Sequence, residues 1–123
     1  SIAGGSPKEP DLSIVESTPG VVNDVPLTER LRGAFSAALG AANVASFPPA
    51  SVSEDFSYFG REGVPSSIFW LGVASPAALE RAKAEGRALP PLHSAEFAPD
   101  DAPAIRAGVT ALVAGALELL PPR

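Results

Sequence analysis

The chain has 123 residues, 46% of them hydrophobic, with Lys+Arg 9 against Asp+Glu 14 and a net charge of -5. This length fits one domain with a real core, and the acidic balance argues against nucleic acid or an anionic membrane surface as a partner. The chain has no cysteine, which excludes disulfides and thiolate zinc sites, and its most apolar run, residues 68–74, is too short to span a membrane.

The first residues differ in character from the rest. Residues 1–10 show no periodicity and are predicted to be a linker or disordered. The chain opens at Ser1 and contains no methionine, so we expect it to be a piece of a longer protein, and a complete small protein whose methionine has been removed is the alternative. Residues 11–17 alternate between apolar and polar and predict a short edge strand. A composition shift near Asn23 suggests that this strand belongs to a different domain.

The middle of the chain predicts a helix, a strand and a second, shorter helix. Residues 27–39 carry an apolar residue every fourth position and stop at Gly40, which is typical of an amphipathic helix and its end. Residues 44–47 are a candidate strand. Ser53 then has the character of an N-cap, with Glu54 and Asp55 in the first helical turn. Two glycines, Gly60 and Gly63, end this short helix.

The last third predicts one strand and two helices. Residues 67–73 are apolar on both faces, as in a central strand covered on both sides. Ser75 and Pro76 are a typical N-cap and first residue of a surface helix that runs to about Glu85. A long helix then starts near Asp100. The larger apolar residues of this helix define the stripe expected to face the core: Ile105, Val109, Leu112, Val113, Ala116 and Leu120.

Strands that alternate with helices favour an α/β fold with a mostly parallel sheet. In such folds, sites lie on loops beyond the ends of buried strands. His93, the one histidine of the chain, falls on a proline-rich loop of this kind. A lone histidine there is more often solvated or structural than catalytic, but neutral imidazole is the commonest protein ligand of zinc. One histidine is too few for a zinc site, which needs three or four ligands.

The two acids after Ser53 also allow two interpretations. Glu54 and Asp55 are acids that favour a helix start in any protein, and either could also orient a metal-bound imidazole or a substrate group. Asn23 is most simply a turn residue. The chain has no Gly-x-Ser-x-Gly elbow and no glycine-rich phosphate loop, which argues against serine-hydrolase and nucleotide chemistry.

Several motifs occur together in an order that resembles a known family. They are Ser-Glu-Asp-Phe-Ser-Tyr-Phe at 53–59, the apolar run at 68–72, Leu-His-Ser at 92–94 with Phe97, and the acidic start of the last helix. This order resembles the C-terminal part of the co-catalytic metallopeptidase family, which includes aminoacylases, carboxypeptidase G2-like enzymes, hippurate hydrolases and indole-acetyl-amino-acid hydrolases. Leu92 and Ala95 depart from its amidohydrolase branch, where a polar residue and a proline are common.

The resemblance implies a fold and a domain division. It implies part of the helix-covered sheet of a zinc-exopeptidase catalytic domain over residues 25–123. Residues 11–24 would be the last strand and hinge of an inserted lid domain, which often mediates homodimers. In this family the histidine of the last motif is a metal ligand, which corresponds to His93. Glu54, Asp55, Ser53 and Asn23 become candidates for contacts to that ligand or to substrate.

The function implied is hydrolysis of an N-acyl amino acid or a related amide by a metal-activated water. The cofactor would be a pair of divalent ions, zinc or manganese, in a cytoplasmic enzyme. No catalytic residue is expected within the chain, because the general base and the other metal ligands of the family lie upstream, so the chain alone should be inactive. The alternative is a non-catalytic α/β binding or interaction module, with no nucleic acid or membrane partner in either case.

Overall fold

The computed structural model describes residues 11–52 and 54–120. Over these residues the chain forms four α-helices and no β-strand: α1, Val25–Leu39; α2, Ser57–Arg61; α3, Pro76–Ala84; and α4, Asp101–Leu119, with a 3₁₀ turn at Ala41–Asn43 after α1. The α/β fold class predicted from the sequence is therefore wrong for the described part of the chain. Neither the zinc-exopeptidase sheet nor a lid-domain strand is present there.

The helix boundaries follow from local capping chemistry. The Asp24 carboxylate accepts a hydrogen bond from the Leu27 amide at 2.9 Å, which satisfies one of the free N–H groups at the start of α1. Gly40 ends α1 with a φ of 88°, a conformation that glycine adopts without steric cost. The Ser75 hydroxyl accepts from the Ala78 amide at 3.2 Å and starts α3. The predicted helix starts at residues 27 and 76 and the stop predicted at Gly40 are confirmed to within two residues.

The core is the contact between α1 and α4, the two longest helices. Gly115 lets them approach closely, since a Cβ atom there would lie 3.1 Å from Leu31 Cδ2 and 3.4 Å from Phe35 Cε1. Leu31 and Phe35 are half-buried, as the predicted stripe of α1 requires. At the rim, the Arg30 guanidinium contacts the Glu118 carboxylate at 3.2 Å.

The apolar run, residues 66–73, lies against this helix pair but is not part of a sheet. Its alternate residues contact the helices: the Ser67 hydroxyl is 3.0 Å from Thr28 Oγ1, and the Phe69 ring lies 5.1 Å from that of Phe35. On the other side of the run, the Trp70 ring lies 5.7 Å from that of Phe47, tilted by 44°, and Trp70 is still 53% exposed. A central strand covered on both sides was predicted, but even Phe69 and Leu71, which face the helices, are 40% and 39% exposed.

A strand needs a neighbouring backbone to pair with, and the described residues offer none. The side chain of Asn23 takes part of that role: its Nδ2 donates to the Ile68 carbonyl at 2.8 Å and its Oδ1 accepts from the Ile68 amide at 2.9 Å. The Asp24 amide donates to the Ser66 carbonyl at 2.9 Å. The candidate strands at 11–17 and 44–47 do not pair with the run, so no ladder forms.

The face of α4 that packs inward is the opposite of the predicted one. The residues buried on α4 are small, Ala104, Ala111 and Gly115, and Gly108 lies close to Leu71. The stripe of large apolar residues expected to form the core is exposed. Small residues occupy the contact face because they let α4 approach Leu31, Phe35 and Leu71 more closely than leucine or valine would allow.

Large apolar side chains of the described residues are exposed. Trp70 is 53% exposed and Leu120 is 72% exposed. Among the described residues, the hydrophobic residues that are buried are alanines: Ala82, Ala104 and Ala111. Helix α4 is long and apolar enough to span a membrane, with a mean hydropathy of 1.3. The core helices of many soluble proteins are equally long and apolar.

Candidate functional site

His93 lies on a loop made of two successive turns. The Ser94 amide donates to the Pro91 carbonyl at 3.1 Å, and the Phe97 amide donates to the Ser94 carbonyl at 3.1 Å. The Ser94 hydroxyl accepts from the Glu96 amide, also at 3.1 Å. These bonds fix the backbone on both sides of His93 and leave its side chain free to project outward.

The backbone of His93 is itself unusual. Its φ is 68°, and it is the one non-glycine residue with a positive φ in the described part of the chain. His93 occupies the third position of the Pro91–Ser94 turn, where a positive φ normally selects glycine or asparagine. An L-residue in this region costs about 1–2 kcal/mol, and such residues cluster at functional sites. The positive φ of His93 is a backbone feature that the sequence alone did not indicate.

The imidazole of His93 has no partner among the described residues. The residue is exposed, and no hydrogen bond or ion pair within residues 11–52 and 54–120 involves its side chain. Because the imidazole is exposed, its ring nitrogens can bond water in the absence of a protein partner. The geometry leaves both ring nitrogens open to a ligand from outside the described residues.

The loop returns to the fold next to the apolar run. The Asp100 amide donates to the Val73 carbonyl at 2.8 Å, which joins the end of the loop to the end of the run. A cavity of about 340 Å³ lies between them, lined in part by Val73, Ala78, Pro90 and Phe97. His93 does not line this cavity, so the cavity and the imidazole are separate features.

Glu54 and Asp55 precede α2 instead of forming its first turn. The helix starts at Ser57, and the residue at its N-cap position, Phe56, makes no side-chain capping bond. Glu54 Oε1 accepts weakly from the Phe56 amide at 3.3 Å, and the Asp55 carbonyl accepts from the Tyr58 amide at 3.1 Å. The predicted helix start at 53–55 is therefore wrong by about one turn. Both carboxylates are exposed, and the N-cap predicted at Ser53 lies outside the described residues.

Asn23 has a structural role that turn statistics did not predict. Both polar atoms of its amide bond Ile68, so the side chain is held against the apolar run. The two bonds fix the orientation of the amide and leave one N–H and one lone pair of the oxygen. Asn23 lines an open groove of about 720 Å³ together with Ser57 and Arg61, whereas Glu54, Asp55 and His93 do not.

This groove contains polar residues that the sequence analysis did not single out. Ser57 is 5% exposed, and its hydroxyl has no hydrogen-bond partner among the described residues. Ser57 and Arg61 are four residues apart and so share one face of α2. This four-residue spacing was the sequence feature that could have indicated the groove. A serine and an arginine on a short surface helix are too common to indicate a site.

The described residues do not assemble a metal centre. Within them, no group of three or more histidine, cysteine, aspartate or glutamate side chains is arranged to hold an ion. A zinc ion needs three or four ligands, and His93 supplies one. The predicted site residues are thus dispersed: His93 on its loop, Glu54 and Asp55 before α2, and Asn23 against the apolar run.

Comparisons with known proteins give no further identification. No protein-family model matches the chain, and no solved structure matches it.

Proposed function

We propose that the chain contributes His93 as one metal ligand to an amidohydrolase that cleaves an N-acyl amino acid or a related amide. The observation that carries this proposal is the unpartnered imidazole on a left-handed turn residue. The motif order at 53–59, 68–72 and 92–97 supports it through the resemblance to the co-catalytic metallopeptidase family.

The loop holds the backbone of His93 and leaves its imidazole accessible to a metal ion. A ligating imidazole must present one nitrogen outward, and it is commonly oriented by a hydrogen bond from its other nitrogen. Here the turn bonds at Ser94 and Phe97 hold the backbone, and both nitrogens are open. The remaining ligands and the general base must come from protein outside the described residues, so the chain alone is expected to bind zinc weakly and to hydrolyse nothing.

The carboxylates of Glu54 and Asp55 fit the proposal better than Asn23 does. Both are exposed and free of ion pairs among the described residues, so either could contact a metal-bound imidazole or a substrate group. Asn23 already bonds Ile68 through both polar atoms. We therefore retain Glu54 and Asp55 as candidate contacts in this proposal and assign Asn23 to the fold.

The test replaces His93 without breaking its turn. Alanine would confuse loss of the imidazole with strain at a positive φ, whereas glycine and asparagine both tolerate this conformation. The complete natural polypeptide that carries these residues is assayed with N-acetyl and N-benzoyl amino acids in Zn²⁺ or Mn²⁺, and its bound metal is quantified. We expect His93→Gly and His93→Asn to lower kcat/KM by at least about 100-fold, beyond the 10–100-fold typical of groups that only orient a ligand, and to lower the metal content.

The matched control is Glu96→Gln in the same loop, which keeps the turn and the histidine. It should retain both turnover and metal content. If His93→Gly kept normal turnover and a full complement of metal, the ligand assignment would be wrong and the alternative of a non-catalytic interaction module would replace it.

A further inference from the structure

We propose that Ser94 is a positioning residue for His93. Its hydroxyl stabilises the loop that keeps the backbone of His93 in the left-handed conformation and its imidazole exposed. The use of this arrangement, presentation of the imidazole to a metal ion, rests on the proposed function. The effect of Ser94 on the backbone of His93 does not, and it can be measured without any metal.

Ser94 is the residue that the two turns of the loop share. In the first turn its amide donates to the Pro91 carbonyl, and in the second its carbonyl accepts from the Phe97 amide, both at 3.1 Å. Its hydroxyl accepts from the Glu96 amide at 3.1 Å. The amide, the carbonyl and the hydroxyl of Ser94 are thus all used within the loop. Of the three bonds, the one to the hydroxyl is the bond that a change of side chain removes.

The second turn connects His93 to the rest of the fold. Residues 91–93 are exposed, whereas Ser94 and Phe97 are half-buried. Phe97 lines the cavity of about 340 Å³ between the loop and the apolar run, and Pro90 lines it from the other end of the loop. On its C-terminal side, His93 is therefore attached to the fold through Ser94 and then Phe97.

The left-handed conformation of His93 needs this attachment. A residue with a side chain populates that conformation about 5- to 30-fold less than its ordinary ones. One hydrogen bond shifts such an equilibrium by about 2- to 12-fold, and the lower end applies in an exposed loop. The three bonds of Ser94 then amount to about 8-fold, which lies within the range of the conformational cost. Because the two effects are nearly balanced, loss of one bond should lower the left-handed fraction of His93.

Three variants separate the hydroxyl of Ser94 from other effects. A serine or threonine hydroxyl can bond the amide two residues further on, and alanine cannot. Ser94→Ala therefore removes the bond to the Glu96 amide, and Ser94→Thr keeps it. Ser75→Ala is the matched control, because it removes a bond of the same kind outside the loop, from the Ala78 amide to the Ser75 hydroxyl at 3.2 Å.

Nuclear magnetic resonance of the 123-residue chain measures the conformation of His93 directly. At its φ of 68° the amide and α hydrogens of His93 lie on the same side of the N–Cα bond, so the nuclear Overhauser signal between them is strong. We expect this strong signal in the wild-type chain, in Ser94→Thr and in Ser75→Ala. In Ser94→Ala we expect a weaker signal, because a larger fraction of His93 leaves the left-handed conformation.

Metal binding by the complete natural polypeptide supplies the second readout. Its apparent dissociation constant for Zn²⁺ is measured by competition with a chelator. Because the ion binds the fraction of the protein in which the imidazole is correctly placed, Ser94→Ala should raise this constant by roughly 2- to 12-fold with the imidazole intact. Ser94→Thr and Ser75→Ala should keep the wild-type constant, since both leave the bonds of Ser94 in place.

Two results would overturn the proposal. The first is a His93 signal in Ser94→Ala as strong as in the wild-type chain. The second is an equal loss of signal in Ser94→Ala and Ser75→Ala, because a general loss of stability would then explain both. A failure of the proposed function has a different signature. In that case Ser94→Ala weakens the signal as expected, but His93→Gly binds Zn²⁺ as tightly as the wild type.

Discussion

The helix pair α1/α4 and the apolar run 66–73 contain similar proportions of hydrophobic residues but differ in how many of their backbone groups are hydrogen-bonded. In the helix pair the interior backbone groups bond within their own helix, and side chains such as Phe35 and Leu31 pack onto Gly115. In the apolar run, the backbone partners among the described residues are one asparagine side chain and two backbone groups, at Asp24 and Asp100.

The difference shows which elements a chain of this length can complete by itself. A helix satisfies its own hydrogen bonds and needs a neighbour only for its apolar face. A strand needs a neighbour for its backbone as well. Side chains of the apolar run pack against the helix pair, but its backbone has no neighbouring strand to pair with. This explains why four helices and no sheet are present in the described residues.

The largest effect is expected at Gly115, where α4 lies against α1. Gly115→Leu should lower the free energy of unfolding by about 1–3 kcal/mol, because the new side chain must displace Leu31 and Phe35 at the closest point of the contact. Chemical denaturation followed by circular dichroism measures this change.

Gly33→Leu is the matched control on the exposed side of α1. A Cβ atom there meets nothing within 4 Å. Leucine should therefore stabilise the chain by up to about 1 kcal/mol through its higher helix propensity. Equal destabilisation at both positions would show that the α1/α4 contact is not the core.

A smaller effect is expected where the apolar run is held. Asn23→Ala removes both hydrogen bonds to Ile68 and should lower the free energy of unfolding by about 1–2 kcal/mol, the lower end applying because the site is exposed. Asn23→Asp keeps the acceptor for the Ile68 amide and should lie between alanine and wild type.

The control for this site is Asn43→Ala, which removes one bond, from Nδ2 to the Leu39 carbonyl four residues earlier. It should cost less than Asn23→Ala. The same loss in both variants would mean that Asn23 contributes only a local turn and does not hold the run.

Helix positions were predictable because their signals are local. The Ser75–Pro76 start, the Gly40 stop and the four-residue spacing of α1 each act within a turn or two of the chain. The direction in which α4 faces was not predictable in this way. The periodicity of its large residues was taken to mark the core, but close packing against Phe35 favoured the small residues on the other side.

Strand prediction failed for a related reason. The apolar pattern of residues 67–73 indicates that a segment will be buried, but it does not supply the partner that a sheet requires. The same limit applies to the candidate site. The sequence pointed to His93, yet its left-handed turn depends on the Pro91–Ser94 hydrogen bond, and ligands that would complete a metal site are not brought together by the described residues.

Amide hydrogen exchange is the most direct test of the central claim, that the helix pair is complete in itself and the apolar run lacks backbone partners. We expect interior amides of α1 and α4 to show the strongest protection, the Ile68 amide to show partial protection, and the amides of residues 69–72 to exchange close to the rate of an unstructured peptide. Protection of residues 69–72 equal to that of α4 would show that the run is a paired strand and would contradict the account.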